Sequence, residues 1–307
     1  MAIIDYAVLD TDGIRMDLMI ENEIRSLLHD GASIRNSGAL IFAGDVAGMG
    51  SDTIALRYSS LDGYTPMGAQ ADGTELTSSN LTNVTANIAV ARQGLRYDLT
   101  DLASLSGFGS DIDVFRLAES MRGAFESRFM TLLCATFAGV TAQAGTTGVA
   151  LSVDDFMDSI YALELANNPG DLACVLAPRQ VADLQASIRN ETGNAIAFNP
   201  AQSEILKMVG QGFIGSFMGV DIHKSSKCAE VGADVIGAMW SRGAFGYALG
   251  TPSPLAVGGV IRPAGTPVMV ELQRDASLSL TEVVGTAYVG CALVEDARAC
   301  EILSKKA

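Results

Sequence analysis

Lysine is scarce in this chain. Only Lys207, Lys224, Lys227, Lys305 and Lys306 occur among 307 residues, and Lys and Arg together number 20 against 35 Asp and Glu. The formal net charge is -15, which argues against tight nucleic-acid binding by a basic face. Charged residues make up only 18%, below the usual quarter. Histidine is limited to His29 and His223. The cysteines, at 134, 174, 228, 291 and 300, are odd in number and include no C-x-x-C pair. That argues against a disulfide framework or a zinc site and fits free thiols in a reducing cytoplasm. No basic residue precedes Arg15, whereas Asp5, Asp10 and Asp12 do, so the start does not read as a signal peptide. The uncharged run from Phe129 to Val153 is interrupted by Gly139, Gly145 and Gly148, and does not read as a membrane span.

What is present is apolar and small: 49% hydrophobic residues and 32 glycines. A low-charge, Gly-rich chain of this length points to a surface largely covered by other subunits. The stretch from Ser110 to Ala138 predicts the longest helix. Val114, Leu117, Met121, Phe125, Phe129, Leu132 and Thr136 recur at steps of three and four and form one apolar stripe. Ser110 with Asp113 makes a capping-box pattern, and Gly139 supplies the stop.

Before it, residues 1 to about 50 read as an arm. It holds an amphipathic helix from Asp17 to His29, with Leu18, Ile24, Leu27 and Leu28 on one side, and a loosely structured lead from Gly31 to Gly50. From Thr53 the period becomes two. Ile54, Leu56 and Tyr58 alternate with polar residues, and so do Val84, Ala86, Ile88 and Val90. Turn residues between them, from Asp62 to Gly73, make this an extended β-hairpin with a long polar tip. A hairpin without its own core either lies on a neighbouring subunit, stays mobile, or folds back on its own domain.

After the long helix, a second one spans Ser152 to Asn168, capped by Ser152 and Asp155 and striped by Phe156, Ile160 and Leu163. Leu172 to Ala177 reads as a buried strand, and Pro178 opens a helix with Val181, Leu184 and Ile188. Asn199-Pro200 reads as the cap of a further helix with Ile205, Met208 and Val209. Phe217–His223 and Asp234–Trp240 read as strands, so this block is α/β in character. Gly250 to Gly265 is a connection. Val268–Leu272 and Thr281–Val294 are strands with a turn at Asp275, and Glu295 to Leu303 reads as a short terminal helix.

No assembled active site is legible. Gly210, Gly212 and Gly215 match G-x-G-x-x-G but follow a helix and precede a strand, the reverse of a pyrophosphate loop. Asp10 and Asp12 begin a calcium-like loop without its later carboxylates. Asp154, Asp155 and Asp158 fall in a helix's first turns, where capping explains them. The sequons at Asn80, Asn83 and Asn190 read as accidental. Asp221 and His223 alternate on one strand and share a face, so an Asp–His pair is sterically allowed; no Ser or Cys stands in a nucleophile-elbow context beside it. The sequence therefore nominates no catalytic, cofactor-binding or metal-binding residue, and no cofactor.

The order of elements, with several stretches of text, carries a resemblance. These stretches are Ala71-Asp72-Gly73-Thr74-Glu75-Leu76, Tyr97-Asp98-Leu99-Thr100-Asp101-Leu102, Val175-Leu176-Ala177-Pro178-Arg179-Gln180, Gly219 to Ser225, and Gly237 to Gly246. Together they resemble the major capsid proteins of tailed bacteriophages, the HK-ninety-seven-like fold, over almost the whole chain. The resemblance implies an α+β shell subunit. Its parts would be an N-terminal arm at 1–50, an extended hairpin loop at 51–98 and a peripheral domain with the spine helix at 99–171. An axial domain would occupy 172–263, and residues 264–307 would return to the peripheral domain. It implies self-association as pentamers and hexamers in an icosahedral shell around double-stranded DNA. It also implies a separate scaffolding protein, a portal, weak non-specific DNA contact and room for decoration proteins. The place of action would be the virion, and the host cytoplasm during assembly. Some members cross-link through a hairpin Lys; residues 53–97 contain none, so non-covalent shells are expected. An encapsulin-like nanocompartment shares the fold and stays open as an alternative, as does an enzyme built on Asp221 and His223.

Overall fold

The computed structural model describes residues 33–47, 49–59, 72, 75, 83–101, 111–166, 170–190, 199–200, 213–251 and 268–306. The helices are α1 (Ser33–Asn36), α2 (Asp111–Ala135), α3 (Val153–Leu165) and α4 (Pro178–Asn190). The strands, in chain order, are β1 (Ile41–Asp45), β2 (Thr53–Ser59), β3 (Asn83–Ala89), β4 (Ala91–Thr100), β5 (Gln143–Ala144), β6 (Leu172–Leu176), β7 (Asn199–Pro200), β8 (Phe213–Phe217), β9 (Val220–Lys224), β10 (Glu230–Val231), β11 (Asp234–Ser241), β12 (Phe245–Gly250), β13 (Val268–Asp275), β14 (Leu280–Leu293) and β15 (Ala299–Lys305). The predicted arm helix at 17–29, the hairpin tip, the helix after Asn199-Pro200, Gly210 and Gly212, and the 252–267 connection lie outside the described residues.

The spine helix α2 runs 25 residues, about 37 Å at the usual rise. Its buried stripe is Met121, Phe125, Phe129 and Leu133, so the register settles on Leu133 rather than Leu132. The helix stops at Ala135, before the expected Gly139. There the Thr136 hydroxyl donates back to Leu133 O at 2.6 Å, and a 3-10 turn follows at Phe137–Gly139. In α3 the expected capping box is present: Asp155 N–H donates to Ser152 Oγ at 3.1 Å and Ser152 N–H to Asp155 Oδ2 at 3.0 Å. Phe156, Ile160 and Leu163 are buried as the stripe requires.

The strands form two larger sheets and one ribbon. In the five-stranded sheet, β14 is the common member. β4 pairs along one edge, while β13 and β12 follow one another along the other. β1 extends the sheet, parallel to β12. The eight-stranded sheet runs β5-β15-β11-β6-β9-β8-β7, with β10 beside β11. β6 alternates Ala173 and Val175 toward the spine helix side with Cys174 and Leu176 toward α3 and α4. β11 does the same with Trp240 and Met239, which is why every β11 residue is buried. The ribbon β2-β3 is antiparallel, Thr53 opposite Ala89 through Ser59 opposite Asn83, as the alternation predicts.

Three expectations fail for physical reasons. Residues 295–303 are not a helix: Asp296–Arg298 make one 3-10 turn, and β15 then fills the gap between β5 and β11. The local helical preference of Glu295 to Arg298 yields to sheet completion that buries Ala299, Cys300 and Ile302. The lead from Gly31 to Gly50 is not loose, because Ile34 and Leu40 enter the core and β1 joins a sheet. Residues 217–223 are not one strand: Met218 and Gly219, both at positive φ, turn β8 back into β9. Asn199-Pro200 forms a short strand paired with β8, and the helix expected after it lies outside the described residues.

Candidate assembly surfaces

The hairpin base sits on its own subunit. Ile54 and Ile88 turn inward and pack with Val90 and Ala248, while Ala55, Arg57, Thr85 and Asn87 face out. The seat is cut by glycines. A β-carbon on Gly290 would lie 2.0 Å from the Ala89 carbonyl oxygen, and one on Gly250 would lie 2.8 Å from Tyr288 Cβ. The Tyr58 hydroxyl donates to the Val294 carbonyl, tying the ribbon to the end of β14. Burial, then the charge of Glu295, pushes the Tyr58 phenol up, so it remains a donor at neutral pH. The base thus folds back on its own domain, while the tip lies outside the described residues.

Beside the hairpin, the spine helix crosses the five-stranded sheet over an apolar groove of about 290 Å³. Met121, Ala124 and Phe125 form one wall, Leu95, Ala287 and Val289 the other, and Arg128 Nε donates to Gln93 Oε1 at 2.8 Å across its mouth. At one end Arg35 pairs with Glu126 at 3.3 Å and stands 5.8 Å over the Phe125 ring. Burial outweighs Arg35 and Arg122 and leaves the Glu126 carboxyl above its ordinary range. This polar clamp fixes the chain entering from residue 33 against the spine.

The outward faces carry apolar side chains of the kind that subunit contacts cover. On α3, Met157, Tyr161 and Leu165 are exposed by 39%, 62% and 70%. Phe42, Met49, Val149, Met218, Val231 and Leu278 are also exposed, several of them at turns.

No catalytic pair forms from Asp221 and His223. Asp221 is exposed and its carboxyl is pushed up by burial and then by Asp171. His223 is only 2% exposed, and burial alone lowers it to about 4, the opposite of what a carboxylate partner would do. It is a neutral core histidine. Asp154 and Asp158 sit exposed in the first turns of α3. Among the described residues no three His, Cys, Asp or Glu gather as metal ligands, and no helix is long and apolar enough to cross a membrane. Each of the five cysteines is a thiol, four of them buried.

Two structural residues escaped the sequence. Gln180 is fully buried. Its Oε1 accepts from Ala177 N–H at 3.0 Å, and its Nε2 donates to Ile302 O at 3.0 Å and Val235 O at 3.3 Å. One amide therefore ties β6, β11 and β15 together, and Gly237 leaves room for it. Trp240, also fully buried, donates from Nε1 to Ala39 O at 3.1 Å and so holds the lead into β1. A Gln three residues after a buried strand, with only Pro178 and Arg179 between it and the loop, was the available signal for the first.

No protein-family profile matches the chain, and no curated protein matches it by sequence. Solved structures do. The capsid of an empty GTA particle superposes with a TM-score of 0.59 at 13% identity, covering 89% of this chain and 90% of that one. The chain has the phage capsid fold. A structure from Mycobacterium phage Che8 shares this capsid fold at a TM-score of 0.57 and 12% identity, with 87% and 90% covered. An encapsulin complex from Synechococcus elongatus matches less completely, at 0.53 and 13%, with 72% and 77% covered.

Proposed function

We propose that this chain is the major capsid protein of a tailed bacteriophage. It assembles with copies of itself, as pentamers and hexamers, into an icosahedral shell around double-stranded DNA. The observation that carries the reading is correspondence from end to end: capsid subunits are covered to about nine-tenths on both sides, and the encapsulin to about three-quarters. The encapsulin-like compartment is the second reading, supported by the same fold at lower coverage.

On this proposal residues 1–50 are the arm, 51–98 the hairpin loop, 99–171 the peripheral domain, 172–263 the axial domain and 264–307 the return. Two pairings refine the division. β4 belongs to the sheet of β14, and β15 to the sheet of β6 and β11, so the last segment serves both domains. The role needs no catalysis. Its partners are neighbouring subunits, a separate scaffolding protein, a portal and, where present, decoration proteins. Contact with packaged DNA is weak and nearly independent of salt, because the chain is acidic. The protein acts in the virion after assembling in the host cytoplasm.

Negative-stain microscopy of the purified protein tests the reading. Closed shells or rings of subunits are expected; a monomer at every concentration overturns it. Removing residues 60–80 should leave folded subunits that cannot close shells. Assembled wild-type particles should dissolve to monomers in denaturing gels, since residues 53–97 hold no Lys for cross-linking.

A further inference from the structure

Helix α3 is apolar on two opposite sides. Phe156, Ile160 and Leu163 face the eight-stranded sheet, and Met157, Tyr161 and Leu165 face outward one turn apart. A helix satisfied by its own subunit shows a polar outer face. Here that face is an apolar stripe rimmed by exposed Asp154, Asp158 and Glu164, and α3 contains no Lys or Arg.

The rim decides what can cover the stripe. A second copy of α3 related by a two-fold axis would set these carboxylates against themselves. The stripe offers roughly 300 Å² of apolar surface, well short of the ~800 Å² per partner of a stable stand-alone contact. It therefore suits one contact among several in a repeating assembly, against a surface of opposite charge.

Such a surface exists elsewhere on the same subunit. α3 packs over β5 and β15, at one edge of the eight-stranded sheet. Beyond β11 and β6, β9 ends in exposed Lys224, and the turn after it carries exposed Lys227. Among the described residues neither lysine has an ion-pair partner. In an acidic chain with so few lysines, two exposed cations close in sequence are a complementary half for an acidic stripe.

We infer that the Met157–Tyr161–Leu165 stripe of α3, with its acidic rim, docks head-to-tail on the Lys224–Lys227 patch of the next copy of this chain. Because the two halves are different patches on different strands of one subunit, the contact is heterologous. It propagates and closes as a ring.

The inference rests on the shell reading, and charge reversal separates the two. Asp154→Lys with Asp158→Lys, and separately Lys224→Glu with Lys227→Glu, should each weaken self-association by about tenfold or more. Combining all four restores it to near the wild-type level. Native mass spectrometry and sedimentation measure the association. Circular dichroism, with unchanged thermal unfolding expected for these exposed sites, checks the fold. Tyr161→Ser with Leu165→Ser should weaken association without rescue by the lysine changes. Wild-type association in both reversed variants, no recovery in the combined one, or a two-fold dimer as the only assembled species overturns the inference while leaving the shell reading intact. Wild-type protein that never associates overturns the shell reading itself.

Discussion

Gly290→Ala is the sharpest probe of how the hairpin is aimed. The new methyl would lie 2.0 Å from the Ala89 carbonyl oxygen and 2.8 Å from its carbon, both backbone atoms that cannot rotate away. The corner between β3 and β4 must withdraw by more than about 1 Å to restore normal contact. Ile54, Ile88 and Val90 ride on that corner and are buried at 7%, 0% and 9% exposure. Burial of each stabilises by ~1.5–3 kcal/mol, and a gap of this size forfeits a quarter to a half of the packing, so the expected loss is about 1–4 kcal/mol. Urea unfolding followed by Trp240 fluorescence measures it, since that residue is the one tryptophan and is fully buried. Microscopy should then show misaimed hairpins as open or irregular particles. Gly123→Ala is the control: it lies exposed in the spine helix with nothing near a new methyl, and should stabilise by about 0.5–1 kcal/mol. Unchanged urea midpoint and normal shells for Gly290→Ala would refute the seat as drawn.

Gln180→Leu strands the Ala177 N–H in a dry interior and should cost about 2–4 kcal/mol, read as a lower denaturation midpoint; a loss under about 0.5 kcal/mol would remove its role as a tie between strands. His223 gives a pH signature. Its folded value, about 4, lies below the ordinary 6.5, so the unfolded chain takes the proton first and stability falls as pH drops through that window. The loss approaches about 3 kcal/mol near pH 4. His223→Leu should flatten that part of the stability–pH curve, and an unchanged slope would show that the imidazole is not the group responsible.

Local chemistry was legible where it acts alone. The Ser152–Asp155 box, the stripe of Phe156, Ile160 and Leu163, and the alternation in β2 and β3 each depend on neighbours within a few residues. What escaped depends on distant partners. β1 is a strand because β12, some 200 residues later, offers an edge. β15 buries residues on both faces, so its sequence shows no alternation to mark it as a strand. Asp221 and His223 read as a possible pair because alternate strand residues share a face; in the fold His223 is buried while Asp221 stays exposed. The candidate interface was half visible. Scarce charge announced that something covers the surface, but the outward stripe of α3 emerged only once its inner face was fixed.

β14 holds β4 on one edge and β13 then β12 on the other, so a bend between residues 280 and 289 would have to break a ladder on each side. The ribbon β2-β3 runs into that beam at Val90, which separates β3 from β4 and donates its N–H to Asp52 O at 2.8 Å, and it is also seated there by the Tyr58–Val294 hydrogen bond and by Ile54 and Ile88. Swinging the ribbon away from this seat would first have to break the Tyr58–Val294 hydrogen bond and expose Ile54 and Ile88, so its base moves with the beam.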